Sequence, residues 1–290
     1  MRPVLFYVGS FPIRSYGLMI AIGVILGGAL AANIARRRGK YENEVLDFVL
    51  YAFIAGLVGS RLWEVAFTWD YYGKNLAEIP AIWHGGLSIQ GGVVAGLLVA
   101  IWYCRSKKIN FWEMVDILAP GVILGQAIGR VGCFLNGDAF GMPTDTIFGV
   151  TYKPGTMAYD FYGGPVPLWP AELFEAGWDL VVLGLLLLLH RAKNRGRVKL
   201  ADGAFALFYA ILYSTGRFLL EFLRADSLRT VYGLKAAQVT SILIIIIAAA
   251  ILALRLRSGP AAVPGEAATA APATVGVGEI GCSGGEKESV

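Results

Sequence analysis

Two arginines inside apolar segments are the residues of this sequence best suited to chemistry. Arg130 follows the apolar run 114–128 and belongs to the segment GRVGCFLNGDAFG of residues 129–141, while Arg217 belongs to GRFLLEFLR of residues 216–224. An arginine near the centre of a membrane helix costs roughly 2.5 to 3.5 kcal/mol, and less toward the helix end, so it is a functional candidate. Two guanidinium groups suit a phosphate, because each can donate two parallel hydrogen bonds. The pair predicts an anion site, and the phosphate most available at this depth is that of a phospholipid.

Charged neighbours of Arg217 extend this candidate site. Glu221 and Arg224 follow it at spacings of four and seven residues, which would place all three side chains on one face of a helix. We expect Glu221 to hold one arginine in position while Arg217 and Arg130 bind the anion. Two simpler interpretations stay open at this point: an ion-paired helix without a ligand, and an Arg130 side chain that only extends to the membrane surface.

The composition indicates that these charges lie in a membrane protein. Of the 290 residues 56% are hydrophobic, and the mean hydropathy is +0.60, which is too apolar for a soluble domain and indicates several membrane passes. The net charge of +4 comes from short basic clusters between apolar runs, so nucleic acid is not an expected partner. Three cysteines without CxxC spacing and two histidines indicate neither a disulfide framework nor a metal site, and no cofactor is expected.

Seven apolar segments must position the charged residues. A bilayer core needs about 20 apolar residues per helix, and the segments that qualify are 17–35, 45–67, 87–104, 113–130, 172–190, 202–223 and 239–256. They predict an all-α fold, a polytopic membrane helix bundle of about seven transmembrane helices. Residues 1–257 form the predicted membrane domain, with a long outer loop at 131–171. Residues 258–290 are rich in Ala, Pro and Gly and are predicted to be a disordered cytoplasmic tail.

The basic clusters also predict the orientation of the bundle. They follow the first, third, fifth and seventh spans, and because basic loops stay in the cytoplasm, the N-terminus is predicted outside and the C-terminus inside. The second, fourth and sixth spans then run outward, which brings Arg61, Arg130 and Arg217 into their outer halves. Tyr16 and Gln90 lie at the outer ends of the first and third spans. Residues from distant parts of the chain are therefore expected to converge at one depth.

These segments resemble a known family. GRVGCFLNGDAFG is similar to the signature of the prolipoprotein diacylglyceryl transferases, bacterial membrane enzymes that start lipoprotein maturation. Further stretches fit the same family in order: SYGLMIAIG at 15–23, GSRLWEVAF at 59–67, HGGLSIQGG at 84–92, PAELFEA at 170–176, GRFLLEFLR at 216–224 and GLKAAQVTS at 233–241. The resemblance covers the chain from the first span to the seventh, without the tail. It implies a multi-pass protein of the bacterial plasma (inner) membrane.

The resemblance implies a reaction and its partners. Such enzymes transfer the sn-1,2-diacylglyceryl group of phosphatidylglycerol to the lipobox cysteine in the signal peptide of a prolipoprotein, at the lipid bilayer, and release glycerol phosphate. Arg130 corresponds to the signature arginine that contacts the lipid phosphate, and Arg217 to a second essential arginine. The other candidate site residues are Glu221, Gln90 and Asp138 for catalysis and Tyr16, Asn136, Gly141 and Arg224 for substrate binding.

Several positions depart from the family pattern. Gln90 stands where the best-studied members have a histidine, Cys133 replaces the signature asparagine, Asp138 replaces the usual glutamate, and residues 169–175 read WPAELFE in place of HPxQLYE. A thiol with a pKa of about 8.5 is roughly 3% thiolate at pH 7, so a base gains only about 2 kcal/mol, whereas one preorganised donor is worth roughly 2.7 to 4 kcal/mol. We therefore expect the two arginines to dominate, while Glu221, Asp138 or a phosphate oxygen takes the proton.

Two other functions remain open from the sequence. A transporter or flippase for a phosphate-bearing substrate also uses arginines that line a cavity. Carriers place the site near the midplane and often show repeated halves, whereas these charges lie toward one face and the sequence has no internal repeat. A lipid-binding paralogue that lost catalysis would fit the changes at Gln90, Cys133 and Trp169. Transfer of lipid to a model precursor separates the three functions.

Overall fold

Long helices make up most of the structure. The computed structural model describes residues 3–9, 11–198, 200–226 and 233–257. The helices, in chain order, are α1 (Ser15–Arg38), α2 (Glu42–Phe67), α3 (Trp69–Tyr72), α4 (Ile89–Lys107), α5 (Phe111–Asn136), α6 (Met157–Tyr162), α7 (Ala171–Asn194), α8 (Ala204–Leu220, continued by a 3-10 turn over Glu221–Leu223) and α9 (Ala236–Arg257). Within the described residues, seven of them are long and apolar enough to cross a membrane, which confirms the predicted all-α bundle.

Short strands and turns connect the long helices at one end. Strand β1 (Val4–Val8) pairs with β2 (Phe11–Arg14) in an antiparallel hairpin before α1. Strand β3 (Val150–Thr151) pairs with β4 (Pro167–Leu168) in the segment between α5 and α7, on either side of α6. The predicted tail at 258–290 and one of the basic loop residues, Lys199, lie outside the described residues.

The fourth predicted span is longer than the sequence pattern indicated. The apolar run stops at residue 128, but α5 continues to Asn136 and ends where Gly137 adopts a left-handed conformation with φ 76°. The prediction that the loop begins at residue 131 was therefore wrong, because Gly132 packs against Met19 of α1 instead of ending the helix, which continues to Asn136. As a result Arg130 lies more than one turn inside α5, and the loop begins at Gly137.

Close helix contacts through glycine fix the bundle. A Cβ atom on Gly27 of α1 would lie 2.5 Å from the carbonyl oxygen of Gly121 on α5, and one on Gly23 would lie 3.1 Å from that of Gly125. This pairing makes α1 and α5 antiparallel, and small residues let membrane helices approach this closely. If consecutive long helices alternate in direction, one end of the bundle carries the N-termini of α1, α4, α7 and α9. The same end carries the C-termini of α2, α5 and α8. The orientation of that end in the membrane stays a prediction.

Two charged residues in the spans have structural partners. Asp116 of α5 is fully buried and accepts hydrogen bonds from the backbone N–H groups of Gly203 (2.8 Å) and Ala206 (3.0 Å), so it caps the start of α8.

Arg61 of α2 lies over the ring of Tyr72, 4.8 Å from its centroid. Its guanidinium donates to the carbonyls of Glu78 (2.5 Å), Ile79 (2.9 Å), Gly85 (2.6 Å) and Gly86 (2.8 Å). Arg61 thus fixes the segment of residues 78–86, which precedes α4, by hydrogen bonds to its backbone carbonyls.

The contact between Gly27 and Gly121 gives a stability prediction. We expect Gly27→Ala to lower the free energy of unfolding by about 1 to 3 kcal/mol, because the added methyl group overlaps backbone that has no rotamer to change. The matched control is Gly96→Ala on α4, where a Cβ would meet nothing within 4 Å. That variant should be neutral or stabilising, since alanine favours a helix over glycine by about 1 kcal/mol. Thermal unfolding of the purified protein in detergent measures both, and equal losses would contradict the prediction.

Candidate active site

One carboxylate of α7 joins the arginines of the predicted site. Arg130 Nε lies 2.7 Å from Glu175 Oε2, and Arg217 Nη1 lies 2.5 Å from Glu175 Oε1. Arg224 Nη1 lies 3.3 Å from the same Oε1 atom. The Glu175 side chain is only 5% exposed, whereas those of Arg130 and Arg217 are each 20% exposed. Because each guanidinium has five N–H donors, the three groups keep donors for an anionic ligand beyond those that Glu175 accepts.

The predicted helical face of Arg217, Glu221 and Arg224 is only partly formed. Arg217 Nη2 lies 3.0 Å from Glu221 Oε2, which is the contact that their four-residue spacing indicates. However, α8 ends at Leu220, and after the 3-10 turn Arg224 has an extended backbone with φ −81° and ψ 143°. The prediction that all three side chains share one helical face was therefore wrong for Arg224, which reaches Glu175 from beyond the helix.

The segment after α5 holds Arg224 in this position. Gly141 and Arg224 form an antiparallel β-bridge. A Cβ atom on Gly141 would lie 2.6 Å from Trp169 Cβ, so a larger residue does not fit between the two backbones. Asp226 accepts two hydrogen bonds from the Arg224 guanidinium, at 3.0 and 2.6 Å. Gly141 therefore acts on the site through the placement of Arg224.

A second group of predicted residues lies where α1 meets the end of α5. Asn136 donates a hydrogen bond to Asp138 Oδ2 at 2.9 Å, and the buried Asp138 Oδ1 has no hydrogen-bond partner among the residues that the structure describes. The Tyr16 hydroxyl at the start of α1 lies within electrostatic range of Arg130, Cys133 and Asp138. The structure thus brings Tyr16, Asn136 and Asp138 together beside Arg130.

Glu172, almost one turn before Glu175 on α7, pairs with the loop and not with an arginine. The Tyr152 hydroxyl donates to both Glu172 carboxylate oxygens, at 2.9 and 3.0 Å. Burial, and next the charge of Glu172, raise the pKa of Tyr152, so the phenol keeps its proton and remains a donor. This pair ties the segment that carries β3 to the start of α7.

The structure does not bring Gln90 to the arginine cluster. Gln90 is exposed at the start of α4, which packs mainly against α2, and it accepts a hydrogen bond from Ser88 at 2.5 Å. In the part of the chain that the structure describes, no hydrogen bond or ion pair connects Gln90 with Arg130, Arg217 or Glu175. A catalytic role for Gln90 stays a prediction without support from this geometry.

A small cleft between α7 and α8 lies against the cluster. Its lining residues are Glu175, Trp178, Asp179, Tyr213, Gly216, Arg217 and Leu220. The Trp178 indole occupies the space that a side chain on Gly216 would need, and it donates to the Leu212 carbonyl at 2.9 Å. Asp179 is 2% exposed, and its Oδ2 atom has no hydrogen-bond partner in the described residues. The cleft thus extends the cluster toward the interior of the bundle.

Glu175 and Asp179 are residues of this site that the sequence analysis missed. Together with Glu172 they recur at spacings of three and four residues along an apolar helix, which places all three on one face. The spacing of these carboxylates could have been recognised in the sequence, since carboxylates inside a membrane helix are functional candidates just as arginines are. Only the folded bundle shows that Arg130 and Arg217 share Glu175.

Fold and site together define a polytopic helical membrane protein with an arginine–carboxylate cluster near one end of its bundle. Comparison with known proteins gives the family: the model described as prolipoprotein diacylglyceryl transferase matches residues 3–254. The chain belongs to this family. It is therefore a transferase and a multi-pass protein of the bacterial inner membrane.

Three similar proteins carry the name phosphatidylglycerol–prolipoprotein diacylglyceryl transferase. The protein of Acaryochloris marina is 38% identical over 83% of this chain and 86% of its own length. The protein of Streptococcus uberis is 37% identical over 88% and 95%. The protein of Geobacillus kaustophilus is 38% identical over 88% and 93%. These relatives do not favour the transporter or the impaired lipid-binding paralogue.

The shared carboxylate gives a second stability prediction. We expect Glu175→Ala to lower the free energy of unfolding by about 3 to 5 kcal/mol, because it leaves neighbouring guanidinium groups without their common counter-charge. Glu172→Gln is the matched control, because Glu172 is also buried on α7 but accepts its hydrogen bond from the Tyr152 phenol, and the amide oxygen of glutamine can accept the same bond. Denaturant unfolding in detergent measures both variants. A loss for Glu175→Ala no larger than for the control would show that the arginines do not depend on Glu175.

Proposed function

We propose that this chain transfers the sn-1,2-diacylglyceryl group of phosphatidylglycerol to the cysteine thiol of a prolipoprotein, forming a thioether and releasing glycerol phosphate. Family membership supports this reaction, because the relatives are named for it. The single structural observation that supports it best is that Arg130 and Arg217, from different helices, meet on one carboxylate. That arrangement provides the two forked donors that a lipid phosphate requires.

Glu175 is a positioning residue in this proposal. Its Oε2 atom forms an ion pair with Nε of Arg130, and its Oε1 atom accepts a hydrogen bond from Nη1 of Arg217, so each guanidinium keeps further N–H groups for a phosphate oxygen. The two carboxylate oxygens set the spacing between the arginines, and two phosphate oxygens have a similar separation. Glu221 restrains the other side of Arg217. The donors are therefore ordered before the lipid arrives, which lowers the entropy lost on binding.

The two arginines act on the leaving group. In the transfer the thiol gives its proton to a base, the sulfur attacks the lipid carbon that carries the phosphate, the carbon–sulfur bond forms, and the carbon–oxygen bond breaks with its electron pair on the phosphate oxygen. Negative charge therefore grows on the phosphate between the ground state and the transition state. Preorganised donors aimed at growing charge accelerate a reaction, and one donor is worth roughly 2.7 to 4 kcal/mol.

The remaining predicted residues support binding at the borders of the cluster. Arg224 adds a third guanidinium at Glu175, and Gly141 places it. We assign Tyr16, Asn136 and Asp138 to the wall beside Arg130, where a lipid or a precursor peptide would contact them. The basic clusters of the other membrane side support the orientation in which this wall lies under the outer leaflet, where the lipobox cysteine of a secreted precursor arrives.

Mass spectrometry of a model precursor tests the reaction itself. The purified protein is incubated with phosphatidylglycerol vesicles and a peptide that contains a lipobox cysteine. We expect the peptide to gain the mass of one diacylglyceryl group and one equivalent of glycerol phosphate to appear. A peptide with serine in place of cysteine is the control and should gain nothing. An unmodified cysteine peptide would contradict the proposed function.

Variants test the order of importance within the site. Arg130→Ala and Arg217→Ala should each lower the transfer rate by about 100-fold or more, because each removes a donor to the leaving phosphate. Arg130→Lys and Arg217→Lys should recover only part of this loss, since an ammonium group lacks the guanidinium fork. Gln90→Ala should change the rate little. Near-normal transfer by both arginine variants, with loss of transfer in Gln90→Ala, would reverse this order.

A further inference from the structure

Asp179 is a buried carboxylate without an assigned role in the proposed reaction. Its side chain lines the cleft between α7 and α8 together with Glu175 and Arg217. It is 2% exposed, and within the described residues its Oδ2 atom has no hydrogen-bond partner. A polar atom buried without a partner is costly, so the arrangement indicates that something polar is received at this oxygen.

The other carboxylates near the arginines are less suited than Asp179 to accept a hydrogen bond or a proton from a substrate. Glu175 already forms ion pairs with three guanidinium groups. Within the described residues neither Glu221 oxygen has a hydrogen-bond partner, but Oε2 lies 3.0 Å from Arg217 Nη2, and Glu221 is not among the residues that line the cleft. Within the described residues Asp138 Oδ1 also has no hydrogen-bond partner, but Asp138 lies just beyond the end of α5, beside Asn136, and is not among the residues that line the cleft. Asp179 differs from these, because its free oxygen lies in the cleft that Arg217 also lines.

The position of Asp179 along α7 matches the geometry of the displacement. It follows Glu175 by four residues and therefore lies about 6 Å further along the helix, toward the interior of the bundle. Displacement at carbon requires the sulfur to approach opposite the leaving oxygen. If the phosphate is held at the level of Glu175, the sulfur approaches from the deeper side of the carbon. The rise from Glu175 to Asp179, about one helical turn, is similar to the distance between the leaving oxygen and the attacking sulfur on opposite sides of the carbon.

We propose that Asp179 Oδ2 accepts the proton of the substrate cysteine thiol, an inference that rests on the proposed function. The S–H bond breaks and its proton moves to the Asp179 carboxylate, the carbon–sulfur bond forms, and the carbon–oxygen bond breaks with its electron pair on the leaving phosphate. The ionisable groups within electrostatic range of Asp179 or in its cleft are Arg130 from α5, Glu175 from α7, and Tyr209, Tyr213 and Arg217 from α8. Asp179 thus provides the base that Gln90 cannot be.

The fraction of thiolate in solution sets the size of the expected effect. With a thiol pKa of about 8.5, roughly one thiol in 30 is ionised at pH 7, and this fraction can still react at the arginines without a base. Asp179→Asn should therefore transfer about 30-fold more slowly than the unchanged protein at pH 7. At pH 9 most of the thiol is ionised, and the deficit should shrink to less than about twofold. A role in folding alone would give the same deficit at both pH values.

Two matched variants separate this role from its alternatives. Asp116→Asn changes another buried aspartate, whose oxygens accept backbone hydrogen bonds from Gly203 and Ala206, so any loss should be the same at pH 7 and pH 9. Asp138→Asn tests the other carboxylate with a free oxygen. A pH-independent loss in Asp179→Asn, or a loss that shrinks with pH in Asp138→Asn instead, would overturn the inference.

A selenocysteine precursor provides a second readout that does not depend on the pH of the protein. A selenol ionises at lower pH than a thiol, so at pH 7 it needs no base. Asp179→Asn should transfer to this precursor at nearly the rate of the unchanged protein, whereas Arg130→Ala should remain slow. If the unchanged protein transfers nothing, the proposed function fails. If it is active and selenium does not rescue Asp179→Asn, only the role of Asp179 fails.

Discussion

The structure depends on one buried carboxylate, Glu175, that three guanidinium groups share. A single arginine in an apolar helix is costly, and a carboxylate there is equally so, but together they satisfy much of each other's charge. The contact also joins α5, α7 and α8, since Arg130 and Arg217 come from the helices on either side of Glu175. The same interaction that makes the charges tolerable therefore positions them for a ligand.

Buried charges elsewhere in the bundle show what a purely structural role looks like. Asp116 is saturated by backbone N–H groups at the start of α8, and Arg61 by backbone carbonyls before α4. Glu172 has the Tyr152 phenol on both oxygens. In contrast, one Asp179 oxygen has no hydrogen-bond partner in the described part of the chain, and Arg130 is still partly exposed. Among the buried charged residues named here, incomplete satisfaction distinguishes the site from Asp116, Arg61 and Glu172.

The proposed roles of the arginines and of the base differ in the free energy that each must supply. In the proposed transfer, stabilising the leaving phosphate requires strong, fixed donors, which is the role proposed for the two arginines on their shared carboxylate. Removing a proton from a thiol requires far less, because a thiol is already partly ionised near neutral pH. A site can therefore change its base more easily than its arginines. In the proposed mechanism, the position of Gln90 apart from the cluster therefore does not remove the basis for catalysis.

The sequence by itself determined the spans, the two central arginines and the family resemblance, because hydropathy, charge inside apolar runs and separated motifs are properties of local sequence. It placed the end of α5 too early and put Arg224 on a helical face that α8 does not extend to. It did not show that Glu175 links Arg130 with Arg217, or that one Asp179 oxygen beside them has no hydrogen-bond partner within the described residues. Those facts were decided by tertiary structure, since which buried groups satisfy one another depends on how helices far apart in the chain pack together.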